Sequence, residues 1–170
     1  MEELLEVIEP FTWLKGNWRG HGTGGFPTIE PFEFDDQMEF KLLEEDFKKE
    51  PLIRFDETAW LIAKGKHNFM HWETGFIRPL GDGTVQLYVS HNTARMEFTV
   101  GKFESVDHNS KSFKIVFSSI FLRNDTGLKN ALQSKRTISF DRDQLTYDLD
   151  ISTDEHPELT SHLKVLLKRI

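Results

Sequence analysis

The chain of 170 residues contains no cysteine, which removes disulfides, zinc ribbons, thiolate haem ligation and cysteine nucleophiles together. Any metal chemistry falls to His, carboxylates, Tyr or Met. Positive charge is also scarce: 21 Lys and Arg stand against 28 Asp and Glu, a net charge of −7. Nucleic acid and anionic membranes are therefore poor partners, since both need a basic surface to meet their phosphates. No run approaches the roughly 18 apolar residues of a membrane-spanning helix. The acidic opening Met1-Glu2-Glu3-Leu4-Leu5-Glu6 lacks the basic n-region of a secretory signal. These absences lead to the expectation of a cytoplasmic protein.

Aromatic residues are abundant instead. With 15 Phe and 4 Trp, and 38% hydrophobic residues overall, the chain can bury a sizeable core. Its length suits a single domain over residues 1–170, with 1–9 a short acidic lead. Pro10 to Gly16 reads as a helical turn ended by glycine. Strand candidates then follow at short intervals: Glu33 to Phe40, Pro51 to Ala63, Phe69 to Arg78, Thr84 to His91, Met96 to Phe103, Ser112 to Ile120, Thr137 to Phe140 and Leu145 to Ile151. Gly81-Asp82-Gly83 marks a hairpin turn. The alternation runs through Val85, Leu87 and Val89 in Thr84 to His91, through Met96, Phe98 and Val100 in Met96 to Phe103, and through Phe113, Ile115 and Phe117 in Ser112 to Ile120. The run Lys41 to Lys49 reads as a solvated strand end and hairpin. The last segment fits either period: Leu159, Leu163, Leu166, Leu167 and Ile170 have helical spacing, while Leu163, Val165 and Leu167 alternate as in a strand, which barrel closure favours. So many short strands without crossover helices predict an all-β fold, an antiparallel barrel or sandwich.

The densest local signal is Gly16-Asn17-Trp18-Arg19-Gly20-His21-Gly22, followed by Gly24-Gly25-Phe26-Pro27-Thr28-Ile29. Glycine at alternate strand positions strips one face of side chains, permitting a sharp bend or the close approach of another group. Trp18 is best explained as closing the bottom of a barrel. Together with Glu73-Thr74-Gly75-Phe76-Ile77-Arg78-Pro79 and the closing Ile151-Ser152-Thr153, Pro157 and His162, these motifs resemble the nitrobindin family, which includes the C-terminal domain of a THAP-type zinc-finger protein. The resemblance runs in order from about Pro10 to Ile170. It implies a ten-stranded up-and-down barrel related to fatty-acid-binding proteins, holding one haem b per chain through a single His. It further implies binding of nitric oxide and isomerisation of peroxynitrite to nitrate. By the same resemblance, His162 matches the axial ligand of the haem iron, Thr28 a residue lining the haem pocket, and Met70 and His71 a pair near its open face.

The residues weighed alone leave alternatives. His162 adjoins apolar Leu163, but regular alternation would put it on the face of Lys164 and Lys168. His67 and His71, four apart in a strand, would share a face about 13 Å from each other, too far to chelate one ion. Met70 and His71, as strand neighbours, should point to opposite faces, so that only one enters the cavity. His156 is a competing ligand, and His108 reads as a surface residue. Asp35-Asp36 and Glu44-Glu45-Asp46 read as solvated carboxylates. A second function class is a fatty-acid-like carrier on the same barrel. It would be signalled by an Arg and Tyr clamp for a carboxylate, for which Arg136, Arg142 and Tyr147 are the candidates. A third is a structural domain whose barrel is a vestige. The sequence leaves the oligomeric state open.

Overall fold

In the computed structural model, which describes residues 2–43, 52–124 and 131–170, ten antiparallel strands close into a barrel. They are β1 (Gly16–Phe26), β2 (Ile29–Leu42), β3 (Ile53–Ala63), β4 (Lys66–Pro79), β5 (Thr84–His91), β6 (Arg95–Asp107), β7 (Ser112–Asn124), β8 (Ala131–Asp141), β9 (Gln144–Thr153) and β10 (Thr160–Arg169). Each strand pairs with its sequence neighbours, and β1 completes the ring by pairing with both β2 and β10. The ambiguous last segment is thus a strand. Closure requires it, because helical geometry there would leave two open sheet edges.

The acidic lead is not a separate arm. A helix, α1 (Glu2–Thr12), takes in most of it and absorbs the expected turn at Pro10. Ile8 and Phe11, three positions apart, share one face of the helix and are fully buried, with Val7 packed beside them. Phe11 packs on Phe103 and Phe113, and Trp13 on Phe113 and Phe140, so α1 caps the barrel end where β1 begins and β10 finishes. Trp18 closes this end from within. It is wholly buried, donates its indole N–H to Leu14 O at 2.7 Å and meets Phe140 edge-on. Arg169 then holds the corner together. Its guanidinium donates to the Lys15 and Trp13 carbonyls at 2.6 and 2.5 Å and lies 4.3 Å from the Trp18 ring centre.

Alternation was read correctly for β5, where Val85, Leu87 and Val89 face in, and for β7, where Phe113, Ile115 and Phe117 do. In β6 it was read inverted. Glu97, Thr99 and Gly101 face the interior, while Met96 is half exposed and Phe98 stacks outside on Tyr88 with ring centres 4.9 Å apart. The physical reason is a charged layer inside the barrel, described below, which takes up Glu97; the apolar face of β6 is covered by cross-strand stacking instead. The run Lys41 to Lys49, and with it Glu44-Glu45-Asp46, falls largely outside the described residues.

The glycines of β1 permit the seam. A Cβ on Gly20 would stand 1.9 Å from the backbone oxygen of Leu166 on β10, and one on Gly22 would stand 2.3 Å from the Phe34 ring. Backbone cannot yield as a side-chain tip can, so Gly20→Ala is expected to force the two strands apart. The expected loss is about 3 kcal/mol of stability, at the upper end of ordinary overpacking, measured as a lower urea midpoint at unchanged slope. A variant as stable as the wild type would show that the seam tolerates a side chain there.

Candidate functional site

Opposite the capped end, the barrel mouth holds a cavity of about 270 Å³. Phe32, Phe34, Leu149 and Leu163 form apolar wall, and Met70, His71 and His162 project into the same space. A larger open groove of about 690 Å³ involves His21, Thr23, Lys164 and Leu166 and lies mainly on the outside, over the bare glycines of β1, away from the interior chemistry.

Two departures from regular alternation build this mouth. Along the β9–β10 pair, Ser161 faces Asp150 and Leu163 faces Leu149, so His162 is an extra residue in a β-bulge. The bulge lets His162 and Leu163 both line the cavity, resolving the choice of face that simple alternation left open. Along the β3–β4 pair, Ala59 faces His71 and Trp60 faces Phe69, which makes Met70 the extra residue. Met70 and His71 therefore both point inward, against the expectation that only one would. The same bulge separates His67 from His71. His67 lies outside, half exposed, with Nδ1 2.8 Å from Asp35, so the two do not share a face.

His162 has the tautomer of a metal-ligating imidazole. Its Nδ1 is 2.9 Å from the Gly25 carbonyl, which can only accept, so Nδ1 carries the proton and Nε2 keeps a lone pair. Burial lowers its pKa, outweighing the opposite pull of the Gly25 hydrogen bond, and favours the neutral ring. Phe26 and Phe32 meet the ring edge-on. A neutral, oriented imidazole beside apolar walls fits the coordination chemistry of a haem iron.

Beneath the cavity lies a buried charged layer. Arg136 (β8) forks onto both carboxylate oxygens of Glu73 (β4), and its Nη2 lies 3.7 Å from Glu97 (β6). Ser134 donates to Glu97 at 3.0 Å. Tyr147 (β9) donates to Asp36 (β2) at 2.8 Å and lies 3.1 Å from Glu57 (β3). Burial alone would raise Glu73, but Arg136 and the hydrogen bonds from His71 and His91 hold it well below the usual carboxylate range. Burial lifts Asp36 to about 7, against the hydrogen bond from Tyr147. Glu57 is raised well above its ordinary value by burial and by the charges of Glu73 and Asp36. Asp36 is thus not the solvated carboxylate expected. Asp35, its outward-facing neighbour, is also buried, between His21 at 2.5 Å and His67.

The remaining candidates lie elsewhere. Thr28 is exposed in the turn between β1 and β2 and does not line the cavity. His156 is half-buried against Phe26, outside the cavity lining. His108 is at the surface with Glu9 at 3.0 Å. Gly20 belongs to the seam, Gly22 makes room for the Phe34 ring, and Gly16, at a φ of 121°, opens β1 opposite Phe40.

Residues 7–169 match the family described as the THAP4-like, heme-binding beta-barrel domain. The chain belongs to that family. Curated relatives of similar length carry the name peroxynitrite isomerase. One from Arabidopsis thaliana is 28% identical over 163 residues, covering 96% of this chain and 89% of its own. One from Mycobacterium leprae is 30% identical over 167 residues, covering 98% and 97%. Among solved structures, that of Rv2717c from M. tuberculosis superposes with a TM-score of 0.84 at 24% identity, covering 96% of this chain and 97% of that one. An S-type phycobiliprotein lyase from Guillardia theta shares the fold at a TM-score of 0.62 and 14% identity, covering 96% and 92%.

In this haem-binding barrel, the Arg and Tyr sought as a carboxylate clamp do meet in the interior: Arg136 and Tyr147 both line the cavity. Glu73 takes both Nη groups of Arg136 and Asp36 takes the Tyr147 hydroxyl, while Arg136 Nε has no hydrogen-bond partner. Arg142 is a surface residue. Sequence reasoning missed His91, Arg95, Glu97 and Glu57. The available signal was charge at inward positions, such as Glu57 between Phe55 and Ala59.

The raised Asp36 gives a testable pH dependence. Its folded pKa lies above the unfolded value, so the folded state binds the extra proton, and stability falls as pH rises from about 4 to about 7. In Asp36→Asn that loss is absent. The melting temperature of the variant relative to the wild type is expected to increase from pH 5 to pH 8. A difference independent of pH would show that Asp36 does not titrate in this window.

Proposed function

We propose that this chain binds haem b, one per chain, in the mouth cavity, where His162 Nε2 would hold the iron, and that it there binds nitric oxide and isomerises peroxynitrite to nitrate. The observation that carries the reading is the bulge at His162, which turns a neutral imidazole, oriented by Gly25, onto an apolar wall. The relatives named peroxynitrite isomerase support the reaction.

Haem supplies, when bound, an iron that takes up small ligands and promotes the rearrangement of peroxynitrite. The chain supplies orientation and exclusion. The Gly25 carbonyl fixes the His162 tautomer and increases the basicity of Nε2. Phe32, Phe34, Leu149 and Leu163 limit water at the site. His71 is held by His91, 3.1 Å away, and would not ligate the iron. A fatty-acid-like carrier, the alternative on this fold, would need a free cationic clamp, and the engagement of Arg136 by Glu73 weighs against it.

Hemin added to the purified protein is expected to give a Soret band that His162→Ala loses while its far-ultraviolet circular dichroism is kept. An unchanged spectrum would remove His162 as ligand. Native mass spectrometry of protein from a haem-replete host separates the two readings: added haem mass supports the first, a fatty acid the second. The ferric spectrum is expected to be high-spin or water-ligated at neutral pH, with His71→Ala altering nitric oxide affinity by less than about tenfold. A low-spin, two-imidazole spectrum converted to high-spin by His71→Ala would refute that assignment.

A further inference from the structure

Across the barrel from His162, three metal-type donors converge: His71 and Glu73 on β4 and His91 on β5. His71 Nε2 is 3.1 Å from His91 Nδ1; His91 Nδ1 is 3.1 Å from Glu73 Oε2; and His71 Nε2 is 3.6 Å from that same oxygen. Ligand atoms about 2.0–2.1 Å from a tetrahedral zinc ion are separated by about 3.3 Å, so these sides have the dimensions of one face of such a polyhedron.

Protons serve this triangle poorly. If His91 Nδ1 carries a proton and donates to Glu73, it has no lone pair with which to accept from His71, and a lone pair on His71 Nε2 receives only a bent share of that same proton. If it instead accepts from His71, its lone pair faces the carboxylate at 3.1 Å. A cation at the centre would use all three lone pairs at once. The site is also preorganised: the His91 side chain is fully buried, that of Glu73 is 3% exposed, and His71 shares the inward face of Glu73 by ordinary alternation along β4.

The surroundings resemble those of ligated histidines. His91 Nε2 faces Glu97 Oε1 at 4.0 Å, beyond hydrogen-bond distance but on the side from which a carboxylate can orient a ligating imidazole. That oxygen has no hydrogen-bond partner. Two cations lie near. Arg136 Nη2 donates to Glu73 Oε2 at 3.1 Å, which leaves that oxygen one lone pair for an ion, and Arg95 Nη2 is 3.3 and 3.4 Å from the two ring nitrogens of His91. Both reduce affinity for an ion.

We propose that His71, Glu73 and His91 form a binding site for a divalent first-row transition ion, zinc being the best fit to their geometry, separate from the haem reading and independent of His162. His71 and Glu73 line the cavity, which gives the ion a route in and leaves a fourth position facing the cavity.

The test titrates the full-length chain, with and without hemin, with Co(II), followed by Zn(II) displacement. One saturable site per chain with tetrahedral ligand-field absorption is expected. His71→Ala and His91→Ala should each weaken it at least tenfold, and His162→Ala should leave it intact. Because the buried His91 variant is at risk of misfolding, His71→Cys decides independently. It should retain Co(II) and gain a thiolate-to-cobalt charge-transfer band. The proposal is overturned by no saturable binding, by unchanged affinity in His71→Ala, by loss of binding in His162→Ala, or by a His71→Cys spectrum lacking that band. Failure of hemin to bind while Co(II) still does would reject the haem reading and leave this site standing.

Discussion

The β1–β10 seam is the constraint on which the rest of this barrel depends. A ring of ten strands exists only if β1 offers hydrogen-bonding edges on both sides, and β10 can come close only because Gly20 carries no side chain. Inside and outside have no meaning until the ring is closed. The inward set of each strand, the apolar floor under Trp18 and the mouth cavity all follow from closure. Arg169 reinforces the seam from the end of β10 by bridging the Trp13 and Lys15 carbonyls at the corner between α1 and β1.

Within the ring the composition changes along the axis. Aromatic packing under α1 gives way to buried charges at mid-height and then to a cavity with apolar walls. Burying Glu73 and Arg136 incurs a large desolvation penalty, which the two-pronged bond and the neighbouring groups offset only in part. Protonation of Glu57, and of Asp36 below about pH 7, keeps the layer from accumulating negative charge. The layer is a poor source of stability. Its effect is to fix polar direction beneath a cavity that is otherwise apolar.

The sequence was most legible where one face was simply apolar. Phe113, Ile115 and Phe117 on β7, and Val85, Leu87 and Val89 on β5, could be assigned directly, as could Trp18 at the closed end. Charge inside the barrel defeated the same reasoning in β6, where the greasy face is the outer one and Glu97 is buried. At the mouth it failed for a different reason. A bulge adds one residue to one strand without a compositional mark, so Met70 beside His71 and His162 beside Leu163 looked like ordinary alternating pairs. The helical lead was obscured by its acidic residues, although Ile8 and Phe11 lay at the correct spacing. The family motifs pointed to His162 and could not show how the strand turns it inward.

The sequence distance across the seam bears on when the cavity comes into being. Arg169 and the Trp13 carbonyl it grips are 156 positions apart, so this contact and the β1–β10 ladder close a loop that spans most of the chain. The walls of the mouth come from strands as distant in sequence as β2 and β10. A partly folded chain lacking β10 has neither a complete wall nor His162. Whatever occupies the cavity therefore recognises only the finished ring, and its binding energy acts as a clasp on the final step of assembly.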